Sequence, residues 1–516
     1  MAKEIIMDNT PERTFQSLSF NKLQREVHVL MIPNEDGLGP STALLYVARG
    51  MDKLARANDI KLKFIVWNKA KAGFNMLSYG PLGTVTPEFQ EVDSVIQLRK
   101  DGEKVLPMET AEDLLDYLWK AKNYAGTMSR FLKNDGDIDC VICMGTPVAH
   151  PPAQSGARRV PVIEVFDHSW LLSLEQIFNG GRKEYPDDWR TRRVSDVDVA
   201  QERFGKEHWP YTWHGKKVDD IIQKEILPVI QSHDIMVDQV FLFPEPLAPG
   251  EFWCRWQSLV PGKVKRIAGV MGGWPDGSGE DQREDIRNKS RIILANRLKW
   301  AVTDIKEARI ILVQGGGTPI WDRFLVHMLG QCLDWEGKLQ NTLFLFTKGS
   351  VENAFNSPTF DKLTAKQRGW ETFAKLQKSV EASSTARLVM GNDEADFANF
   401  QMFYLVADLI FSRPGGITVQ DAIACRTPLV CAAEPGHWQT EKIRHHCLLH
   451  GIMRDVAFQA FQAGGIGLVL DQFGMKEGNK RMVDIMRTIP NQQETKLAEE
   501  IFSIIADRIA RQGVSE

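Results

Sequence analysis

The chain lacks several features that mark specialised classes of protein. Cysteine is scarce and odd in number, with 7 in 516 residues, which argues against a disulfide framework and fits reduced thiols. No apolar run reaches the roughly 18 residues that indicate a transmembrane helix, and the first residues, MAKEIIMDNT, carry no apolar core of a secretory signal. We therefore expect a cytoplasmic protein without a transmembrane segment. Peripheral contact with a membrane surface stays compatible with this expectation.

A surplus of positive charge is also missing. The 63 Lys and Arg residues are balanced by 67 Asp and Glu residues, so the net charge is -4. Binding to nucleic acid depends on a basic surface that neutralises phosphates, so we expect no nucleic-acid partner. Internal repeats and low-complexity segments are not found either, which argues against a solenoid or a fibrous protein.

What recurs is a short apolar strand followed by a loop with glycine and then a helical stretch. The segments of this kind are 27–33, 62–68, 139–145, 161–167, 309–317, 341–349, 386–392, 407–416 and 427–436. Apolar runs without strict alternation are typical of parallel strands that are covered on both faces. The sequence therefore predicts an α/β protein with two doubly wound parallel sheets.

The strands fall into two sets, separated by a stretch rich in glycine, proline and acidic residues at 261–285. We predict a first lobe over 1–265, a second lobe over 266–493, and an amphipathic helix within 494–516. The first lobe contains an insertion at about 176–230 with Trp189, Trp209 and Trp213. Two interpretations of this insertion are open, a covering segment and an aromatic platform for an acceptor.

The strongest functional signal is the segment 407–443. A strand ends at Ser412, Gly415 and Gly416 form a tight turn, and a helix begins with ITVQDAIAC. Backbone N–H groups and the dipole at a helix start bind anions, and glycine lets a diphosphate approach the backbone. Asp421 follows about one helical turn later, within reach of a ribose. The alternative is an ordinary glycine turn of a Rossmann-like unit.

This segment resembles the part of the GT-B glycosyltransferases that binds the sugar donor. The pattern is aDlifsRpGgiTvqDaia followed by EPGhwQtEki, and it is most similar to the inverting branch. That branch includes the peptidoglycan-precursor N-acetylglucosaminyltransferase and the glycolipid glycosyltransferases. The resemblance implies two Rossmann-like lobes that face a cleft, a nucleotide sugar bound by the second lobe, and a final helix that crosses back to the first.

The resemblance also implies roles for individual residues of the second lobe. Those that would hold the diphosphate are Gly415, Gly416, Ile417 and Thr418, and Asp421 would bind the ribose hydroxyls. Those that would border the sugar, the phosphates or the base are Gly315, Gly316, Gly317, Thr318, Phe397, Arg413, His437, Gln439 and Glu441. The implied donor is a UDP-sugar, the family default, with no other cofactor.

In the first lobe, Gly37 and Gly39 match the family's turn on the acceptor side of the cleft. The family commonly has a histidine after this turn, and Pro40 stands there instead. Proline suits a helix start but cannot accept a proton, so another group must act as the general base. The candidates that follow first-lobe strands are His168, Asp36 and His150. Each has a structural loop residue as its alternative interpretation.

Two further features bear on the mechanism. Arg413 stands where the retaining members of the family have the first glutamate of a pair, which favours inversion. An Asp-x-Asp motif is not found at the place expected for a metal-dependent transferase, so we expect no metal. Cys140 and Cys143 are interpreted as two buried thiols on opposite faces of a strand, and His446 and His450 as part of a surface histidine cluster.

The leading hypothesis is a metal-independent glycosyltransferase that moves a sugar to a hydroxyl or amine of an acceptor. A nucleotide-sugar epimerase of the same fold and a catalytically inactive GT-B-like binding protein are the alternatives. The acceptor is left open, whether a small molecule, a glycan, a lipid-linked compound or a peptide.

Overall fold

The protein is described by a computed structural model of the chain. The residues that the structure describes are 25–33, 39–67, 84–86, 100–101, 104–105, 138–144, 160–167, 215–217, 220, 224, 235–240, 264–274, 279–300, 308–315, 319–339, 341–356, 362–390, 400–432 and 438–512. Most of the predicted insertion at 176–230 lies outside these residues.

Two parallel sheets form the framework. The strands of the first sheet and of a small antiparallel pair are β1 (Val27–Pro33), β2 (Leu62–Trp67), β3 (Thr84–Thr86), β4 (Lys100–Asp101), β5 (Lys104–Val105), β6 (Ile138–Met144), β7 (Val162–Asp167), β8 (Ile235–Val240) and β9 (Val264–Ala268). Those of the second sheet are β10 (Arg309–Gln314), β11 (Thr342–Thr347), β12 (Ala386–Val389), β13 (Leu409–Ser412), β14 (Leu429–Cys431) and β15 (Arg454–Asp455).

Helices follow most of these strands. They are α1 (Gly39–Ala57), α2 (Glu280–Arg297), α3 (Pro319–Asp334), α4 (Lys348–Asn356), α5 (Lys362–Gln367), α6 (Phe373–Ala382), α7 (Phe400–Val406), α8 (Gly416–Cys425), α9 (Trp438–Leu449), α10 (Phe458–Gly474), α11 (Lys476–Met486) and α12 (Glu494–Gln512).

The strand order confirms the predicted fold class. The first sheet has the order β3-β2-β1-β6-β7-β8-β9 and the second the order β12-β11-β10-β13-β14-β15. Counted within each sheet, both begin 3-2-1-4-5-6, which is the order of a doubly wound Rossmann fold. Neighbouring strands within both sheets are parallel.

All nine strands that the sequence predicts are present, because each is an apolar run that the sheet buries. The strand β11, for example, is buried at every position, as expected for a central parallel strand. The strand β9 falls inside the stretch 261–285, so the connection to the second sheet starts after Ala268. The predicted bounds of the two lobes stay predictions.

The helix at the end of the chain packs against the first helix. Leu497, Ile501 and Ile505 of α12 are buried in the same core as the apolar residues of α1. The two backbones meet at Gly50, where a Cβ atom would collide with the carbonyl oxygen of Glu494. A helix that follows the second sheet and packs on α1 of the first is the GT-B arrangement that the resemblance implies.

Candidate functional site

The second sheet has a crevice where its strand order reverses. The chain leaves β10 for β11 on one side, whereas β13, the other neighbour of β10, leads to β14 on the opposite side. In open α/β sheets, ligands bind outside the carboxyl ends of the two strands at such a switch point. Here those ends are Gln314, followed by the buried Gly315, and Ser412, followed by Arg413.

The helix α8 begins at this switch point and has no side-chain cap. Its N-cap residue is Gly415, in an extended conformation, and the first intrahelical bond runs from the Val419 N–H to the Gly415 carbonyl at 3.0 Å. The N–H groups of the first helical turn, on Gly416, Ile417 and Thr418, have no partner within a helix. Together with the helix dipole they form a place for an anion.

Two buried hydroxyl groups lie at the carboxyl ends of strands in this sheet. Ser412 ends β13 and is 0% exposed, and Thr347 ends β11 and is also buried. Within the part of the chain that the structure describes, neither hydroxyl has a hydrogen-bond partner. A buried hydroxyl without a partner is costly, so each hydroxyl has a hydrogen bond left to make at the carboxyl edge of the sheet.

Asp421 is expected to bind the ribose hydroxyls at the surface of the cleft, but the structure places it in the interior. Its side chain is 0% exposed. Its Oδ1 atom accepts a hydrogen bond from the Tyr46 hydroxyl of α1 at 2.5 Å and another from Gln401 Nε2 of α7 at 3.3 Å. In this conformation the carboxylate is closed to a ligand, so the ribose contact stays a prediction that requires α1 to move away from α8.

Burial determines the protonation of this carboxylate. It raises the pKa of Asp421 to about 7, although the hydrogen bonds from Tyr46 and Gln401 and the charge of Arg49 act in the opposite direction. Burial and the neighbouring Asp421 also raise the pKa of Tyr46 well above its usual value. A neutral Tyr46 hydroxyl therefore remains the hydrogen-bond donor.

Sequence reasoning missed Gln401 and Tyr404 of α7. They are three positions apart and therefore share one face of the helix, and Tyr404 donates a hydrogen bond to Gln314 Oε1 at 2.5 Å. Gln314 directly precedes the glycine run that the sequence does single out. The available signal was the polar residue at i and the tyrosine at i+3 in an otherwise apolar helix before β13.

For some predicted site residues the structure describes only the backbone, and others lie outside the described residues. Gln439 and Glu441 lie in the first turn of α9, and Gly39 begins α1, with Pro40 as its second residue. Those that lie outside the described residues are Asp36, Gly37, His150, His168, Gly316, Gly317, Thr318, Phe397 and His437. Arg413 is half-buried at the end of β13, and its proposed role in binding phosphate stays a prediction.

The three candidate bases follow strands that are neighbours in the first sheet. Asp36 comes after β1, His150 after β6 and His168 after β7, and these strands lie side by side in that order. Parallel strands end at the same edge of a sheet, so the last described residues before the three candidates, Pro33, Met144 and Asp167, lie at one edge. Which of the three bases faces a substrate stays a prediction.

The interpretation of the two cysteines is confirmed, and that of the histidine cluster is wrong for one of its residues. Cys140 and Cys143 are both buried, which confirms two buried thiols. The surface interpretation is wrong for His446, which is buried because it lies on the face of α9 that also carries Ile443 and Cys447. Across the described ranges, no group of three His, Cys, Asp or Glu side chains is arranged to hold a metal ion.

No helix within those ranges combines the length and apolar character needed to cross a membrane.

Comparisons with known proteins give a structural likeness only. No protein-family model matches the chain, and a search of curated proteins finds no match. The structure is similar to that of Acinetobacter baumannii MurG, at 12% identity, over 92% of this chain and 99% of that chain, with a TM-score of 0.42. It is similar to the glycosyltransferase SnogD from Streptomyces nogalater at 13% identity, over 93% and 100%, with a TM-score of 0.46. It is also similar to the UDP-GlcNAc 2-epimerase from Neisseria meningitidis at 11% identity, over 93% and 99%, with a TM-score of 0.45.

Proposed function

We propose that this protein is a glycosyltransferase that transfers a sugar from a nucleoside diphosphate sugar, with uridine as the nucleoside, to a hydroxyl or amine of an acceptor. The observation that carries the proposal is the uncapped start of α8 at the switch point of the second sheet, beside the buried Ser412 hydroxyl. This arrangement supplies N–H and O–H groups for a diphosphate without a basic surplus.

Gly415 supports a ligand at this place. Its φ of -79° is ordinary for any residue, and a Cβ atom there would lie 3.6 Å from Thr418 Oγ1, an ordinary contact. The described chain therefore gives no packing reason for glycine at position 415. Close approach of a diphosphate to the backbone would be such a reason.

The proposed reaction is a single displacement that inverts the anomeric carbon. The acceptor oxygen or nitrogen bonds to that carbon, the bond from the carbon to the diphosphate oxygen breaks, and the nucleoside diphosphate leaves with the electron pair. The N–H groups at the start of α8 would stabilise the negative charge that develops on the leaving group. The acceptor proton would pass to one of Asp36, His150 or His168, with His168 and Asp36 preferred.

Inversion and independence from metal are parts of the same proposal. Arg413 stands where the retaining enzymes have a glutamate, and it offers a cation near the leaving diphosphate rather than a carboxylate. Charge stabilisation by a helix start and a cation can take the role that a metal ion has in other transferases.

The first experiment identifies the ligand and then tests its place. A melting-temperature screen with UDP, TDP, GDP, ADP and CDP should show an increase for one of them, with UDP expected. Calorimetry should then show that Gly415→Ala weakens UDP binding by about tenfold or more, because the added methyl group occupies the path of the phosphates. Gly279→Ala is the matched control, since Gly279 is the N-cap residue of α2 and a Cβ there meets nothing within 4 Å.

Unchanged UDP affinity in Gly415→Ala would overturn the placement of the site, and no binding across the panel would overturn the function. The reaction class is tested by incubating the protein with UDP-sugars, with and without candidate acceptors. An epimerised sugar formed without acceptor would identify an epimerase, whereas tight binding without turnover across the panel would identify an inactive binding protein. Loss of transfer in EDTA would contradict independence from metal, and nuclear magnetic resonance of the product shows whether the anomeric carbon is inverted.

A further inference from the structure

The hydroxyl group of Tyr404 lies between two parts of the second lobe, the carboxyl end of β10 and the first turn of α8. It donates a hydrogen bond to Gln314 Oε1 at 2.5 Å, and Gln314 is the last residue of β10. The side chain of Thr418, in the first turn of α8, lies close enough to the same hydroxyl to act on its pKa, in the direction opposite to burial. Because the single proton of Tyr404 goes to Gln314, the Thr418 hydroxyl faces it as a donor.

Tyr404 is itself fixed in place. Its side chain is buried, and its carbonyl oxygen accepts a hydrogen bond from Thr427 Oγ1 at 2.8 Å. Burial raises the pKa of Tyr404, so the hydroxyl keeps its proton and its bond to Gln314. Loss of this hydroxyl would remove the donor to the half-buried Gln314 side chain, and a phenyl ring in its place offers no other donor.

The two parts that Tyr404 joins are the two sides of the crevice. Gln314 leads directly into the glycine run that starts at Gly315, and Thr418 belongs to the uncapped turn of α8. Backbone groups act on a bound ligand only when they are held within a few tenths of an ångström of the required geometry. The binding of a diphosphate that contacts both sides of the crevice therefore depends on the distance between those sides.

We propose that Tyr404 is a positioning residue that holds the carboxyl end of β10 and the first turn of α8 at the separation that a diphosphate spans. The proposal rests on the proposed function of that crevice. It assigns Tyr404 no contact with the ligand, since the hydroxyl is already engaged by Gln314 and Thr418.

The test compares two ligands in three proteins of full length. Tyr404→Phe removes one oxygen and keeps the ring. Tyr46→Phe is the matched control, because it removes another buried tyrosine hydroxyl that reaches α8, through Asp421. Calorimetry with UDP and with UMP then separates the diphosphate contribution from that of the nucleoside.

We expect Tyr404→Phe to weaken UDP binding by about tenfold and UMP binding by less than about twofold, so that the preference for UDP over UMP falls. Tyr46→Phe should leave that preference unchanged. If Tyr404→Phe lowers both affinities equally, Tyr404 has a general structural role and the proposal is overturned. If the wild-type protein binds UDP and Tyr404→Phe binds it equally well, the positioning role fails while the site stands. If the wild-type protein binds neither ligand, the proposed function with uridine fails instead.

Discussion

The two sheets use the same side chain for the same purpose at their amino edges. In the first sheet, Asp139 Oδ2 accepts a hydrogen bond from the backbone N–H of His28 in the neighbouring strand at 3.0 Å. In the second sheet, Asp408 Oδ2 accepts one from the N–H of Ile310 at 2.8 Å. Each carboxylate thus ties the two central strands of its sheet together.

The positions are equivalent in register as well as in role. The residue after each aspartate pairs with the residue after each N–H group, Cys140 with Val29 and Leu409 with Ile311. Both central pairs flank the switch point of their sheet. The two lobes therefore repeat a structural device even though the sequence shows no repeat.

The difference between the two sites lies in the cations. Asp139 pairs with Arg25, whose side chain is 44% exposed and which comes just before β1. Asp408 pairs with Arg287 and with Arg291, whose side chain is 5% exposed, and both belong to α2. Arg291 also donates to the carbonyl oxygen of Val406 at 3.1 Å. In the second lobe the same aspartate therefore also fixes a helix against the sheet that carries the proposed site.

The largest effect should come from removing Asp408, because its partner Arg291 is buried. Asp408→Ala leaves Arg291 buried without its carboxylate, which typically costs about 3 to 5 kcal/mol. Asp139→Ala should cost about 1 to 2 kcal/mol, because Arg25 can turn to solvent and mainly the hydrogen bond to the His28 N–H is lost. Urea unfolding of both variants gives the free energies of unfolding.

Equal losses in the two variants would show that the burial of the arginines does not matter and would remove the distinction between the lobes. A separate variant, Asp408→Asn, keeps the acceptor for the Ile310 N–H and removes the charge. It should lie between the wild-type protein and Asp408→Ala if the arginines contribute as described.

A third carboxylate, Asp421, sharpens the comparison because its hydrogen bonds come from the neutral groups of Tyr46 and Gln401 rather than from arginines. Arg49 of α1 is the cation whose charge acts on it, and Cys425 lies nearby on its own helix. Its pKa is about 7 in the folded protein against 3.8 as the ordinary value. The folded state therefore binds more protons than the unfolded state between these two values.

It follows that the contribution of Asp421 to stability is fully present below about pH 4 and is lost as the pH rises to about 7. Asp421→Asn keeps the acceptor oxygen and cannot ionise, so it should gain stability relative to the wild-type protein over that range, by at most about 4 kcal/mol. Urea unfolding at pH 5 and pH 8 measures the gain. Asp52→Asn, an exposed change on α1, is the control, and its free energy of unfolding should change with pH as that of the wild-type protein does. If the free energy of unfolding of Asp421→Asn changes with pH in the same way, the raised pKa of Asp421 is contradicted.

The sequence predicts the sheets better than it predicts the contacts between lobes. The central strands contain apolar runs, such as Val29–Ile32 of β1 and Cys140–Met144 of β6, whereas β9 was not predicted because Lys265 and Arg266 interrupt its apolar residues. The uncapped start of α8 was predictable because its signal is local, two glycines between a strand and a helix. The burial of Asp421 was not, since its partner Tyr46 is 375 residues away in the chain and the contact depends on how the two lobes pack.

The smallest loss of stability should come from removing the side chain of Arg25. Its size shows whether the ion pair or the backbone hydrogen bond is the main contribution of Asp139. An ion pair with an exposed partner contributes at most about 1 kcal/mol and is screened by salt. Arg25→Ala should therefore cost less than Asp139→Ala, and the difference between Arg25→Ala and the wild-type protein should shrink in 1 M NaCl. If Arg25→Ala instead costs as much as Asp139→Ala at both salt concentrations, the ion pair rather than the backbone hydrogen bond is the main contribution of Asp139. The two sheets would then be tied in the same way, by an arginine on each aspartate, and the contrast in burial would have no energetic consequence.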